Sequence, residues 1–374
     1  MLRRIWALSV KEFIHLRNDW WLPAFMLIGG LMELLLVGWA TSRPITNLPL
    51  MVLDQDHSAA SRALITALEN TGTFTLKAQV NDMQEVRQAL DRGQINAALI
   101  IPPEYSKEIA ATDGNPVLPV LINGAESTPG VAALRAVEGV VQELDARITV
   151  QRLGMQPDAL AGFTPSLQVW FNQSLSEALY TTPAELGLML EFTVLLFAAL
   201  SFSRERELGT LEQLLVMPFS SLEIIIGKSI PVILISFTDF LLMLLMVHLA
   251  FKVPVRGSLA LLLLLAFGYL LVELGKGLVI SVISRTQHQA FLLVLMVGMI
   301  DFMFTGYAAP VESMPRILQY VANLIPAHHW LNILRGVLLK GSGLDVLWPN
   351  VLALAVLGLV IGTFSLRYVR RALN

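Results

Sequence analysis

The chain has 374 residues, 55% of them apolar and 15% charged, and its mean hydropathy of +0.64 is too high for a soluble protein of this length. Its 26 basic and 29 acidic side chains leave a formal charge of -3, so no basic excess points to nucleic acid as a partner. There is no cysteine, which excludes disulfides, thiolate metal sites and cysteine nucleophiles and leaves metal chemistry to six histidines.

Residues 1–19 read as an amphipathic helix lying in the membrane interface, with Leu2, Ile5, Trp6, Phe13 and Leu16 toward lipid and Arg4, Lys11, Glu12 and His15 toward water. A bilayer core about 30 Å thick needs roughly 20 apolar residues in a helix, and 20–40 is the first such stretch. It is longer than a signal-peptide core, contains Glu33, and is followed by Arg43 and Pro44, which favours an uncleaved anchor.

From 48 to 182 short apolar runs alternate with amphipathic helical ones, the pattern of an α/β domain inserted between the first two spans. Strands are expected at 49–53, 73–80, 95–101 and 117–122, and helices at 58–70 and 82–92. Asp82 with Glu85 three residues on resembles a capping box, and Gly93 closes that helix. A longer helix is expected from Thr128 to about Gly154, with Val131, Leu134, Val137, Val141 and Leu144 on one face. The segment 49–182 holds 15 acidic and 8 basic side chains, a balance of -7 that reads as solvated surface. Asp54, Asp56 and His57 fall short of a calcium loop or a zinc set.

Five further spans are expected at 183–203, 229–251, 258–283, 288–307 and 348–366, making a helical membrane protein of about six spans with a transmembrane domain over 183–366. Basic residues are retained on the cytoplasmic side. With both termini inside, eleven Lys and Arg fall on inner segments (Arg3, Arg4, Lys11, Arg17, Arg204, Arg206, Lys228, Arg285, Arg367, Arg370, Arg371) against six on short outer loops (Arg43, Lys252, Arg256, Arg316, Arg335, Lys340). This places the 367–374 tail in the cytoplasm and the 48–182 domain outside. The outer loop 308–347 is semi-apolar and broken at Pro326, the character of a helical hairpin dipping partway into the membrane.

The most informative stretch is the inner loop 204–228. Leu208, Leu211, Leu214 and Leu215 recur at helical spacing while Arg204, Glu205, Arg206, Glu207 and Glu212 stay charged. Such a helix either lies in the lipid interface or docks its apolar ridge in a groove of a cytoplasmic partner, and the pattern alone leaves both open. The run RERELGTLEQLLVMP, followed by Gly227 and Lys228 before a span, resembles the inner loop of ABC transporter permeases of the type-2 export family. Over nearly the whole chain the order of elements is similar to that family's bacterial inner-membrane drug and lipid exporter branch. GYAAPVESMP at 306–315 and Ile325, Pro326, Ala327 and His328 are similar to its outer loop. At Trp170, Phe171, Asn172 and Gln173 the chain departs from relatives that place proline after the asparagine.

The resemblance implies a permease that exports an amphiphilic or drug-like molecule, with ATP hydrolysed by a separate ABC ATPase chain and none bound here. It also implies a second permease chain, the same or a close relative, and leaves room for a periplasmic adaptor. By that analogy Arg204, Glu205, Arg206, Glu207, Leu208, Gly209, Thr210, Leu211, Glu212, Leu214 and Leu215 couple to the ATPase, and the 1–19 elbow helix touches it too. Gly227, Lys228 and Ser229 spell the end of a phosphate-binding loop, but Leu222 stands where its glycine is required, and no strand precedes it.

Glu33, Glu191, Asp239, Glu273, Lys276 and Asp301 fall inside expected spans, where each charge is expensive and must face protein or water. Glu273 and Lys276, three apart, offset each other on one helical face. Glu33, Glu191 and Asp239 are candidate substrate-pathway residues, with hydrogen bonding inside the bundle as the competing reading. His248 reads as interfacial, and the adjacent His328 and His329 point apart on a helix. No catalytic, cofactor or metal site is expected. A membrane-anchored sensor or envelope assembly factor is the alternative function, and an intramembrane enzyme a weaker one, since no catalytic spacing of Asp, Ser with Lys, or His appears.

Overall fold

The computed structural model describes residues 1–41, 45–111, 114, 116–152, 171 and 176–373. The expected departure at 170–173 lies outside the described residues except for Phe171. The chain divides into two compact units, one of Met1–Arg43 with Val169–Asn374 and the other Pro44–Gln168.

In the first unit, α1 (Leu2–Asn18) precedes six helices long and apolar enough to cross a membrane: α2 (Trp21–Thr41), α7 (Glu177–Glu207), α9 (Ser221–Phe251), α10 (Leu259–Ile283), α11 (Gln287–Phe304) and α14 (Leu344–Leu373). Two of them start six to eight residues earlier than hydropathy places them. Pro183 suits a first turn, yet α7 begins at Glu177, so 177–182 belongs to this helix rather than to the 48–182 domain. Ser220 caps α9 in a reciprocal box with Glu223, which carries the helix start eight residues ahead of 229, to Ser221.

The loop between α7 and α9 is correspondingly shorter than 204–228. Arg204 to Glu207 form the last turn of α7, and Gly209, at φ 70°, breaks the chain before the short helix α8 (Leu211–Val216). The 308–347 segment does fold into short helices, α12 (Arg316–Ala322) and α13 (Pro326–Arg335), with Pro326 in the first turn of the latter. The core of the unit is formed where α7, α9, α10 and α13 meet, around Leu190, Phe197, Phe240, Tyr269 and Trp330.

The second unit carries a four-stranded sheet in the order β2-β1-β3-β4, built from β1 (Leu48–Asp54), β2 (Phe74–Val80), β3 (Ala97–Ile101) and β4 (Val120–Ile122). The first three strands are parallel and β4 is antiparallel to β3. The helices α3 (Ala59–Asn70), α4 (Met83–Asp91) and α6 (Ser127–Arg152) lie close to their expected ranges, while α5 (Tyr105–Ala110) carried no readable signal. Ser58 and Asp82 cap α3 and α4 through bonds from the Ser61 and Gln84 amides, each contributing about 1 kcal/mol. Asp54 accepts from the Asp56 and His57 amides and the Ser61 hydroxyl, and Asp56 from the Ser106 amide and hydroxyl. These carboxylates serve the loops that follow β1 and β3.

Candidate functional site

The sequence-derived residues fall into two groups, one at the α7–α8 junction and one within the helical bundle. At the junction α1 does not lie with its polar face in water. Ile5, Leu8 and Ser9 are buried, and Ser9 donates to the Gly227 carbonyl at 3.0 Å. Gly227 lets the two helices approach, since a Cβ there would stand 2.6 Å from the Leu8 Cβ. Beside it Lys228, 1% exposed, pairs with Glu12 at 2.6 Å and Glu205 at 3.2 Å and donates to the Ser201 carbonyl at 3.1 Å. The Gly-Lys-Ser triplet is thus a helix-packing device inside α9.

Glu205 also accepts from Lys11 at 2.6 Å and from the Thr210 hydroxyl, while Arg204 pairs with Asp19 at 3.1 Å. Arg206 donates to the Val282 and Ser284 carbonyls, and Glu207 accepts from the Gln287 amide. Lys11 and Glu12 therefore point toward protein rather than water, because the buried Glu205 and Lys228 require counter-charges. The charges of this segment mostly join α1, α7, α9 and α10 to one another.

The leucine ridge is divided in the same way. Leu214 is 2% exposed and belongs to the core, whereas Leu208, Leu215, Val216 and Met217 are exposed, Val216 most of all. Gly209 and Glu212 share the exposed side, with Thr210 and Leu211 half-buried. A cavity of about 280 Å³ separates α1 from α8, walled by Lys11, His15, Glu205, Leu208 and Leu214 among others.

Within the bundle, the expected Glu273–Lys276 pair is one side of a larger cluster. The Lys276 ammonium lies 2.7 Å from Glu273, 2.6 Å from Asp301 of α11 and 3.5 Å from Glu191 of α7, and the Tyr269 hydroxyl donates to Glu191 at 3.2 Å. The carboxylates approach within 4.8 Å of one another, where each ionised pair repels by about 3 kcal/mol at an effective dielectric near 20. The cation that opposes this repulsion is Lys276. Tyr269 in turn stacks on Trp330 of α13 with ring centroids 5.1 Å apart.

Glu33 and Asp239 lie apart from that cluster. Glu33 is exposed on α2 and lines a cavity of about 460 Å³ with Phe25, Phe192, Thr193, Phe291 and Val294, so the cavity wall is mostly apolar. Asp239 is fully buried on α9 and accepts from Thr193 at 2.8 Å. Thr193 thereby bonds one candidate pathway residue, Asp239, and lines the same cavity as another, Glu33. Nothing in the sequence marks Thr193, and the sequence shows Asp301 as a charge inside an expected span without showing its partner. His248 caps its own helix end by facing the Val253 carbonyl at 3.0 Å, and His328 and His329 take separate partners, Thr305 and Asn323.

Comparison with known proteins concerns the chain as a whole. The model of the ABC-2 family transporter protein matches residues 20–367. The probable multidrug ABC transporter permease YbhR of Escherichia coli is 27% identical over 99% of each chain. The probable multidrug ABC transporter permease YbhS of the same organism is 28% identical over 94% of this chain and 93% of that one. The inner membrane transport permease YhhJ, also of Escherichia coli, is 24% identical over 100% of this chain and 98% of its own.

Proposed function

The chain belongs to the ABC-2 family of transporter proteins, and from that premise we propose that it is the permease subunit of a multidrug-type exporter driven by a separate ABC ATPase. In this reading the ATPase docks on the Leu208 to Met217 segment, the two termini face the cytoplasm, and the α/β unit stands on the outer side of a bacterial inner membrane. Two permease chains face each other, as the largely exposed α2 and α14 allow. An amphiphilic, drug-like substrate travels by the cavity between α2, α7 and α11, with Glu33 and Thr193 at its wall and Asp239 behind Thr193. A periplasmic adaptor on the α/β unit is compatible with this arrangement.

The observation that supports docking is α8 itself, a short helix between two spans whose apolar residues Leu215, Val216 and Met217 are exposed while its remaining leucines pack inward. An apolar surface flanked by the exposed Glu207 and Glu212 suits a groove on a partner. Co-purification with the ATPase chain tests it. Leu215→Asp with Val216→Asp abolishes capture of the ATPase while the permease stays folded and in the membrane. Undiminished capture by that variant overturns the docking assignment.

A further inference from the structure

Of the two helices joined by the Lys276–Asp301 pair, α11 lines the 460 Å³ cavity and α10 does not, and they are held differently. On α10, Gly275 lies against Ile361 of α14, and Gly277 is so close to α7 that a Cβ would come within 2.5 Å of Ala198. These contacts bracket Lys276, so the lysine is mounted on a post packed on both sides. On α11 the close approach is at Gly298, where a Cβ would stand 2.5 Å from the Phe192 ring. The cavity-lining Phe291, Val294 and Leu295 lie N-terminal to that contact, and Asp301, paired with Lys276, lies one turn C-terminal to it. Between Phe291 and Phe304, Asp301 is the charged residue of α11; the first residue of the helix is held separately, by the Gln287 amide donating to Glu207 of α7 at 2.7 Å.

We propose that Lys276 is a positioning residue that sets where α11 stands as a wall of the cavity, with α11 turning about the Gly298–Phe192 contact and the Lys276–Asp301 pair tethering its other side. Directional contact between opposite charges fixes one arrangement where apolar contacts permit sliding. The tether can also be released without stranding the ammonium, because Glu273 at 2.7 Å and Glu191 at 3.5 Å remain beside it on α10 and α7. One cation with partners on three helices is a two-position element of the kind that converts a small shift into a discrete movement. The inference rests on the exporter reading only for what the movement serves, since the movement itself involves neither ATPase nor substrate.

The natural lack of cysteine allows spin labels to be placed without removing native residues. The full chain, in nanodiscs of phosphatidylethanolamine and phosphatidylglycerol, carries labels at Leu292→Cys on α11 and Leu271→Cys on α10, both exposed positions. A reference pair uses Leu271→Cys with Leu359→Cys on α14, also exposed. Pulsed electron-spin distance measurement gives one dominant separation for the first pair in the parent chain. Asp301→Leu and Lys276→Met each lower the ratio of that population to a displaced one by about tenfold, while Lys276→Arg retains the parent distribution and the reference pair does not move. Parent-like distances in Asp301→Leu overturn the proposal, as does a shift of both pairs together, which marks general loosening. If Lys276→Met fails to fold, the Asp301→Leu variant, whose change removes no cation, decides alone.

Discussion

Replacing Lys228 by methionine removes the ammonium at the α1–α9 junction while keeping most of the side-chain volume, so the change isolates charge from packing. Lys228 is 1% exposed and meets carboxylates at 2.6 and 3.2 Å, one of which, Glu205, is itself 4% exposed. Removing one partner of a buried pair leaves its mate desolvated and destabilises by about 3 to 5 kcal/mol. The lower end applies here, because Lys11 at 2.6 Å still opposes Glu205 and Glu12 retains 15% exposure. The matched control is Lys107→Met, in an exposed pair with Glu104 at 2.8 Å, where solvent already screens the charges. Denaturant titration of the purified chain in micelles, followed by tryptophan fluorescence, places the Lys228→Met midpoint clearly below the parent and leaves Lys107→Met unmoved. Coincident midpoints for the two variants refute the view that the junction is held by buried charge.

Three further outcomes follow from the same contacts. Leu214→Asp puts a carboxylate into the core and yields little folded protein, whereas Leu215→Asp gives parent-like yield, as read by size-exclusion chromatography of detergent extracts. Thr193→Val takes from the buried Asp239 the hydroxyl that donates to it at 2.8 Å, and lowers stability by about 1 to 3 kcal/mol in the same denaturant titration. In the α/β unit, Ser58 foremost and the Ser106 amide hold the Asp56 carboxyl below its ordinary value, so the folded state has the lower pKa. The resulting stabilisation is present above about pH 4 and is lost as acid carries the pH down through the folded value. Protection of the Ser106 amide in hydrogen exchange at stepped pH therefore falls on acidification in the parent and is low throughout in Asp56→Asn.

Several features were legible because they are local. The Asp82 cap and the Pro326 break announce themselves within four residues, and the strands of the α/β unit follow from short apolar runs between turn residues. Helix starts at Glu177 and Ser221 were not, since Glu177, Thr181 and Thr182 in one helix and Glu223 and Lys228 in the other lower the hydropathy of their first turns. The leucine ridge of 208–215 shows that a face is apolar, but periodicity does not say which leucines meet α1 and which remain exposed. The ion pairs were the least accessible. Lys11 and Glu205 are 194 residues apart, and Lys228 and Glu12 are 216 apart, so each charge read alone belongs as naturally to a water-facing surface.

The two groups of charged residues share one helix. Glu205, at the end of α7 next to α8, is held by lysines of α1 and α9, and Glu191 and Thr193, nearer its middle, meet Lys276 of α10 and Asp239 of α9. Fourteen residues of helix separate Glu205 from Glu191, about 21 Å at 1.5 Å per residue. Most side chains of α7 between them are buried and none is exposed, so the helix has little freedom to bend or unwind locally. A force applied at α8 therefore meets α7 as a stiff body, and the places where that body is tied by ionic contacts rather than by apolar packing are its loop end and the cavity wall. Contacts of that kind have discrete partners, so the movement proposed at Lys276 leaves α7 unchanged along its length.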